Sequence, residues 1–273
     1  MNNIAIICVN YNNNHFTEEL IDSVRNSKGN VYNIQFTIVV VDNSEGMESV
    51  SFLAKESSVF CDVKVLKPKS NLGYFHGLNF GLSAIDLSSY SFVIIANNDI
   101  KFKADFFESL VVATYPRDAM LICPDVITKD GFHQNPHRLM PYTRLNLLLL
   151  DLYFSNFFIA RLLTKINALK KALFKHYSRP APIKFIELYS GIGACYVLTP
   201  LFLVSNNQLY FPGFLYGEEA CLAYQVQQSN GRTYLDPKLV VHHEESATLS
   251  KLPKRTTYNF GRDSYWKFRH IIF

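Results

Sequence analysis

The chain has 273 residues, 48% of them apolar, and a formal charge of +4; that is enough apolar content for one large core, or one domain with an insertion, and too much for a disordered chain. Lysines and arginines are spread out except around 161–179 and 251–269, which argues against bulk nucleic-acid binding. Cys8, Cys61, Cys123, Cys195 and Cys221 form an odd set without a Cys-x-x-Cys pair, and four of them sit in or beside apolar stretches, so reduced thiols in a reducing compartment are expected.

The first apolar run, residues 4–9, has no basic segment before it and is followed at once by polar Asn10 to Asn14, so it reads as a strand and not as a secretion signal. Thr17-Glu18-Glu19-Leu20 predicts a helix start with Thr17 as N-cap, an acidic first turn, and Leu20, Ile21 and Val24 on its apolar face. Further strands are predicted at 37–41, 63–66, 92–96 and 120–123, with helices at 75–85 and 105–113 between them. Continuous apolar runs of this length suit a parallel sheet buried on both faces, joined by crossover helices. Ligands are then expected at the carboxyl ends of the strands.

From 129 to 183 the pattern changes to loops rich in His and Pro, a Leu/Phe-rich stretch and a basic helix, which reads as an insertion. Leu162, Ile166, Leu169, Leu173 and Tyr177 share one helical face, with Arg161, Lys165, Lys171 and Lys175 mostly opposite. Such a helix suits either an anionic membrane surface or packing on its own domain with a solvated basic face. Asn146, Asp151, Asn156 and Arg161 interrupt the longest apolar stretch, so no membrane span is expected. A strand at 194–198, a helix at 218–228 and a strand at 238–242 complete the chain, with no internal repeat.

Polar clusters fall where those strands end. Asp42, in Val41-Asp42-Asn43-Ser44, can accept from a ribose hydroxyl or a base N–H, although the tripeptide is also ordinary turn chemistry. In Asn71-Leu72-Gly73-Tyr74-Phe75-His76-Gly77-Leu78-Asn79, two glycines four apart at a helix entry allow close backbone approach to a ligand, and the helix N-terminus favours phosphate. Gly73 can equally hold a simple turn and Asn79 a helix surface. The Gly-x-Gly-x-x-Gly spacing is absent, which disfavours nicotinamide and flavin. Asn97-Asn98-Asp99 ends an apolar strand with oxygen donors suited to Mg2+ or Mn2+ shared with substrate phosphates, or with a capped turn.

Glu218-Glu219 fall in the first turn of the predicted 218–228 helix, where acidic residues favour its dipole. His242 and His243 lie on opposite faces of one strand with no Cys or third His at useful spacing, which argues against zinc. Phe211, Phe214 and Tyr216 precede the acidic pair, as a stacking surface for a sugar or as core.

The runs Val9-Asn10-Tyr11-Asn12, Val41-Asp42-Asn43-Ser44, Asn71-Leu72-Gly73, Asn97-Asn98-Asp99, Ser190-Gly191, Gly217-Glu218-Glu219 and Val241-His242-His243 together resemble the family-2 inverting glycosyltransferases of the GT-A fold. Order and spacing agree through about residue 246, with the insertion and the extreme C-terminus outside the resemblance. The sequence is most similar to the rhamnosyl- and galactofuranosyl-transferase-like members that build bacterial surface polysaccharides. The resemblance implies an α/β, Rossmann-like, mostly parallel central sheet flanked by helices, to which the change of pattern adds the helical insertion. It implies a GT-A domain over 1–246, divided into a nucleotide-binding half at about 1–128, the insertion at about 129–183 and an acceptor and base half at about 184–246. A basic aromatic segment, 247–273, follows.

The resemblance further implies that Asn10 and Asp42 hold the nucleoside and that Asn71 and Gly73 line the nucleotide pocket, with Tyr11, Asn79 and Asn98 in the same set. Asp99 and His242 would contact Mg2+ or Mn2+. Glu218-Glu219 would supply the general base, with Glu219 favoured by its match to the second position of the pair. Two departures stand out: Asn98 replaces a second carboxylate in the metal motif, and Glu219 replaces an Asp.

The implied activity is inverting transfer of a sugar from a nucleoside-diphosphate-sugar to a hydroxyl of a glycan or lipid-linked acceptor, in bacterial O-antigen, capsule or cell-wall polysaccharide synthesis. The implied place is the cytoplasm, peripherally on the inner face of an anionic membrane. Two other readings compete. A sugar nucleotidyltransferase would need a glycine-rich basic loop after the first strand, where Asn10 to Asn14 holds no Gly, Lys or Arg. A catalytically silent subunit of a membrane polysaccharide complex would dock through the basic insertion.

Overall fold

The computed structural model describes residues 2–27, 33–45, 60–173, 181–244 and 254–272. Lys175 and Tyr177, assigned above to the basic helix, lie outside them. In chain order the elements are β1 (Asn2–Asn10), α1 (Asn14–Arg25), β2 (Ile34–Asp42), β3 (Cys61–Leu66), α2 (Tyr74–Leu82), β4 (Phe92–Asn97), β5 (Ile100–Phe102), α3 (Phe106–Val112) and β6 (Ala119–Thr128). Then come α4 (Arg144–Ser155), α5 (Phe157–Leu173), β7 (Ile186–Leu188), β8 (Cys195–Leu198), α6 (Pro200–Ser205), α7 (Glu218–Gln228), β9 (Arg232–His243) and α8 (Lys254–Phe268).

One sheet runs β3-β2-β1-β4-β8-β6-β9-β5, with β7 also on β9. Its first four strands are parallel; the apolar runs of β1, β2 and β4 are buried on both faces, as the sequence predicts, whereas β3 at the edge buries Cys61 and Val63 and exposes Asp62 and Lys64. Ile4, Ile6 and Cys8 point into one core with Leu20, Ile21 and Val24 of α1 and Phe106, Phe107 and Leu110 of α3. Ala5 and Ile7 point into the other, with Phe75 and Leu78 of α2, Leu222 and Val226 of α7, and Tyr265 and Phe268 of α8. Such alternation follows from the two-residue period of a strand. Beyond β4 the sheet is mixed: β8 enters antiparallel between β4 and β6, while β6 and β9 pair in parallel.

The five cysteines are buried free thiols. No helix among the described residues is long and apolar enough to cross a membrane. Helix α1 starts at Asn14, three residues before the predicted cap, and has no acidic residue in its first turn. Thr17 is fully buried inside it, donating to Asn10 Oδ1 at 3.2 Å; a tertiary bond, not a cap, has claimed the hydroxyl. Helix α8 lies against α4, with Arg269 on Asp151 at 2.5 Å and Tyr265 Oη donating to the same carboxylate.

Candidate active site

The carboxyl ends of β1, β2 and β4 meet in one buried polar network. Asn10 Nδ2 donates to Asp42 Oδ1 at 3.0 Å and to Ser44 Oγ at 3.2 Å, and its Oδ1 accepts from Asn98 Nδ2 at 3.2 Å. Asn98 also donates to Thr17 Oγ1 at 3.0 Å and to the Asn13 carbonyl at 3.2 Å. Asn10 is fully buried and Asn98 nearly so, so both amides tie the strand ends together beneath the surface. The remaining carboxylate oxygen of Asp42 accepts from Lys67 Nζ at 3.0 Å. Burial alone would raise the Asp42 carboxyl, but hydrogen bonds from Ser44, Lys67 and Asn10 outweigh it and hold the pKa below its ordinary value. Lys67 is half exposed and brings a positive charge to the rim of this network. Tyr11, the next residue after β1, is partly exposed there.

Gly73 caps α2 at φ +79°, where a side chain would also strike the Phe214 carbonyl at 2.4 Å; only glycine fits. Asn71 accepts from the Gly73 amide at 2.9 Å, and Asn43 donates to the Gly73 carbonyl at 2.9 Å, tying this turn to the end of β2. Gly77, expected at a ligand, instead lets α2 lie on the sheet, because a Cβ there would come within 2.9 Å of Val9. Asn79 is likewise committed elsewhere. Its amide donates to the Leu209 carbonyl at 2.8 Å and its oxygen accepts from the Leu209 amide at 2.7 Å, which tethers α2 to the segment before the acidic pair.

Asp99 is 5% exposed, and its Oδ1 lies 3.3 Å from Nε2 of His243. The expected partner, His242, is not brought there: it pairs with Lys101 in the β9–β5 register and its side chain is exposed. Strand alternation admits only one of the two to the Asp99 side, and it is His243. Gln134 Oε1 lies 2.8 Å from His243 Nδ1, and Asn97 Nδ2 lies 3.3 Å from its Nε2, so the imidazole is held between the segment after β6 and the end of β4 while Nε2 also faces the Asp99 carboxylate. An imidazole nitrogen and a carboxylate oxygen 3.3 Å apart offer two ligand types that a divalent cation accepts. Among the described residues no group of three or more His, Cys, Asp and Glu side chains could hold a metal. One carboxylate and one imidazole therefore fit a Mg2+ or Mn2+ ion only if phosphate oxygens and water complete its shell, as hard cations at phosphate sites commonly allow.

Gln134 was not anticipated, nor were its neighbours. His133 Nδ1 meets the buried Asp125 carboxylate at 2.8 Å, and Asn135 donates to the Pro124 carbonyl at 2.7 Å while accepting from the Ile192 amide at 3.0 Å. Three consecutive side chains at the start of the predicted insertion thus fasten β6, β9 and the loop before β8. The visible signal was a compact polar run, His133-Gln134-Asn135-Pro136, directly after a strand.

Glu218 and Glu219 open α7. The Gly193 amide donates to Glu219 Oε1 at 3.2 Å, and a Cβ at 193 would lie 2.8 Å from that oxygen, so the glycine admits the carboxylate against the peptide. The Gly193 carbonyl accepts from Tyr74 Oη at 3.0 Å, and the next carbonyl, Ala194, accepts from the Asn97 amide at 2.8 Å. Through this one loop the acidic pair is joined to the end of β4 that carries Asp99. Tyr74 reports the convergence: burial, then Cys195 and the carboxylates Glu218, Glu219 and Asp99, hold its phenol well above the ordinary pKa. Of the three aromatics before the pair, Phe211 is core, packed edge-on against Phe75 at 5.9 Å. Phe214 meets Phe260 at a tilt with ring centroids 5.3 Å apart, and Tyr216 is the exposed one.

Burial, helped by the neighbouring Glu219 charge, pushes the Glu218 carboxyl from 4.5 to about 8. A carboxyl raised on folding contributes stability that is complete below 4.5 and is lost as pH climbs through about 8, with a slope of up to ~1.4 kcal/mol per pH unit. The melting temperature is therefore expected to decline across that window in the native chain, and Glu218→Gln to flatten the decline. Thermal denaturation as a function of pH checks this, and an unchanged slope in the variant would contradict it.

The sheet ends in Asp42 and Asp99, and the acidic start of α7 is joined to it through the Gly193–Ala194 loop, an arrangement of the GT-A glycosyltransferase fold. The chain belongs to glycosyl transferase family 2, whose family profile matches residues 5–177. That match takes in much of the 129–183 segment left outside the motif comparison, and it stops before Gly217.

Among solved structures the fold is similar to S. aureus TarS (TM-score 0.57, 13% identity, 90% of this chain and 37% of that one). It is also similar to GalNAc-T7 with UDP, GalNAc and Mn2+ (0.58, 14%, 89% and 44%). A third is the mannosyltransferase PcManGT from Pyrobaculum calidifontis with GDP-Man and Mn2+ (0.53, 14%, 98% and 60%). The chain thus spans between 37% and 60% of the length of these proteins. No curated protein matches the sequence.

Proposed function

We propose that the chain transfers a sugar, with inversion, from a nucleoside-diphosphate-sugar to a hydroxyl of a glycan or lipid-linked acceptor, in the synthesis of a bacterial surface polysaccharide. The placement among rhamnosyl- and galactofuranosyl-transferase-like enzymes rests on the sequence motifs. The observation that carries the reading is the junction at Gly193 and Ala194, which joins Glu219 on one side to the Asn97–Asp99 turn on the other.

In this reading Asp42, with Lys67 at its rim, holds the nucleoside, and the turn of Asn71 and Gly73 borders it. Asn10 and Asn98 act by fixing Asp42 and the Asp99 turn. Asp99 and His243 would hold a divalent cation, which when bound supplies Lewis-acid stabilisation of the departing diphosphate. Glu219 takes the proton of the acceptor hydroxyl. The acceptor oxygen then attacks the anomeric carbon from the face opposite the diphosphate, and the electrons of the breaking C–O bond leave on the phosphate oxygen. Buried Glu218 favours its protonated form and lies beside the base as a neutral neighbour.

A thermal-shift panel of UDP-, GDP-, dTDP- and CMP-sugars, each with and without Mn2+, tests the proposal. A donor at 100 times its dissociation constant adds ~2.7 kcal/mol, or about 5–10 °C for a chain of this size. One nucleotide class is expected to give that shift, more strongly with Mn2+, and incubation with an acceptor to release nucleoside diphosphate. Release of pyrophosphate would instead mark a nucleotidyltransferase, and no shift with any donor a silent subunit.

A further inference from the structure

Helix α4 is apolar on two sides. Leu147, Leu150 and Phe154 face the core that contains Tyr265 and Phe268, while the opposite stripe is left open: Leu145 and Leu148 are each 64% exposed and Leu152 is 45% exposed. The helix is firmly built all the same, starting in a capping box of Thr143 and Asn146. Helix α5, packed beside α4, repeats the pattern. Ala160 is buried, but Phe158, Leu162 and Leu169 are 72%, 59% and 66% exposed. Their spacing of four and seven residues puts them on one face.

Helices apolar all round belong in a core or a lipid phase, and neither stripe has a cover among the described residues. Charge decides between occupants. The seventeen residues of α5 include Arg161, Lys165, Lys170 and Lys171 and no acidic residue. Exposed Arg161 and Lys165 lie along one border of the apolar stripe by helical periodicity. The acid of α4, Asp151, is already neutralised by Arg269. A second copy of this chain would bring the same positive charge against itself; an anionic lipid surface accepts the leucines and complements the charge.

We infer that the α4–α5 hairpin is a docking surface for an anionic bilayer, lying in the headgroup region without crossing it. The inference deepens the proposed function by assigning the acceptor to a lipid surface. The start of α4 adjoins the site: Tyr142, just before the Thr143 cap, packs edge-on against Tyr189 at 6.1 Å, and Tyr189 leads into the glycine loop whose Gly193 amide holds Glu219. A docked hairpin therefore holds the mouth of the site near the membrane, where a lipid-linked hydroxyl can reach Glu219.

Flotation of the whole chain with vesicles tests the surface, comparing phosphatidylcholine alone with phosphatidylcholine containing about one-third phosphatidylglycerol. The native chain is expected to float at least about tenfold better with the anionic vesicles, and less so as salt rises. Leu162→Glu combined with Leu169→Glu, and separately Arg161→Glu combined with Lys165→Glu, are each expected to cut binding about tenfold or more, with melting temperatures unchanged because these side chains are exposed. Failure of the native chain to float, or equal flotation by both double variants, overturns the inference. Self-association abolished by the same substitutions would assign the face to a second copy and overturn it too. Donor-induced thermal shifts, measured on the same preparations without lipid, separate failure of docking from failure of the transfer proposal.

Discussion

Glu219→Gln is expected to slow sugar transfer by about 100- to 10,000-fold, the range associated with loss of a general base, while donor affinity changes less than about threefold. The substitution keeps the side-chain oxygen that accepts from the Gly193 amide at 3.2 Å, so the loop before β8 stays in place. What disappears is the capacity to receive the acceptor proton. Glu218→Gln provides the contrast. Glu218 is buried, favours its protonated form and accepts from the Tyr216 amide at 3.1 Å, so its neutral amide analogue is expected to retain most of the turnover. Steady-state kinetics with saturating donor, paired with donor titrations, check both. Normal turnover in Glu219→Gln, or a collapse confined to Glu218→Gln, would move the base to the other carboxylate.

The second large effect concerns the two adjacent histidines. His243→Ala and Asp99→Asn are each expected to lower Mn2+-dependent transfer roughly 100-fold or more, since stabilisation of a leaving group by a metal is worth several kcal/mol. His242→Ala, one residue away but exposed on the other face of β9, is expected to act within about twofold, like an ordinary surface substitution. Gln134→Leu removes the side-chain amide that holds His243 Nδ1 at 2.8 Å and so orients the ring. It is expected to weaken Mn2+ affinity by about 10- to 100-fold, as losses around a metal ligand commonly do, with the donor's diphosphate present to complete the shell. Calorimetric Mn2+ titration of the four variants reads this directly. A variant set in which His242→Ala loses the metal and His243→Ala keeps it would reverse the assignment.

The sequence and the structure agree most closely where burial alone decides. The runs that became β1, β2 and β4 are continuous and β-branched because each strand is covered on both faces, and no neighbouring sequence is needed to read them. The start of α1 was misplaced because Thr17 has two uses. By local chemistry it caps, but in the fold its hydroxyl is drawn inward between Asn10 and Asn98. Short edge strands such as β5 and β7 carry no period long enough to register, and the polar start of β9 hid behind Asp236 and Pro237, next to a register shift against β6.

At the site, the residue types were legible and their directions were not. Asp99 was expected to meet a histidine, but which of two adjacent side chains turns toward it depends on how β9 registers with β5 and β6, a long-range fact. Asn79 and Gly77 sit in a helix whose N-terminus suggested phosphate, yet their roles are set by Leu209 and Val9. Gln134 was invisible for the same reason: its partner is 109 residues away.

The most direct test is a crystal structure with Mn2+ and the nucleoside-diphosphate-sugar that the thermal panel selects. The account predicts one anomalous manganese peak contacting both Asp99 and His243 and touching the diphosphate, with the sugar's anomeric carbon between that diphosphate and Glu219. A donor bound so that these side chains face different regions, or manganese held by His242, would contradict it.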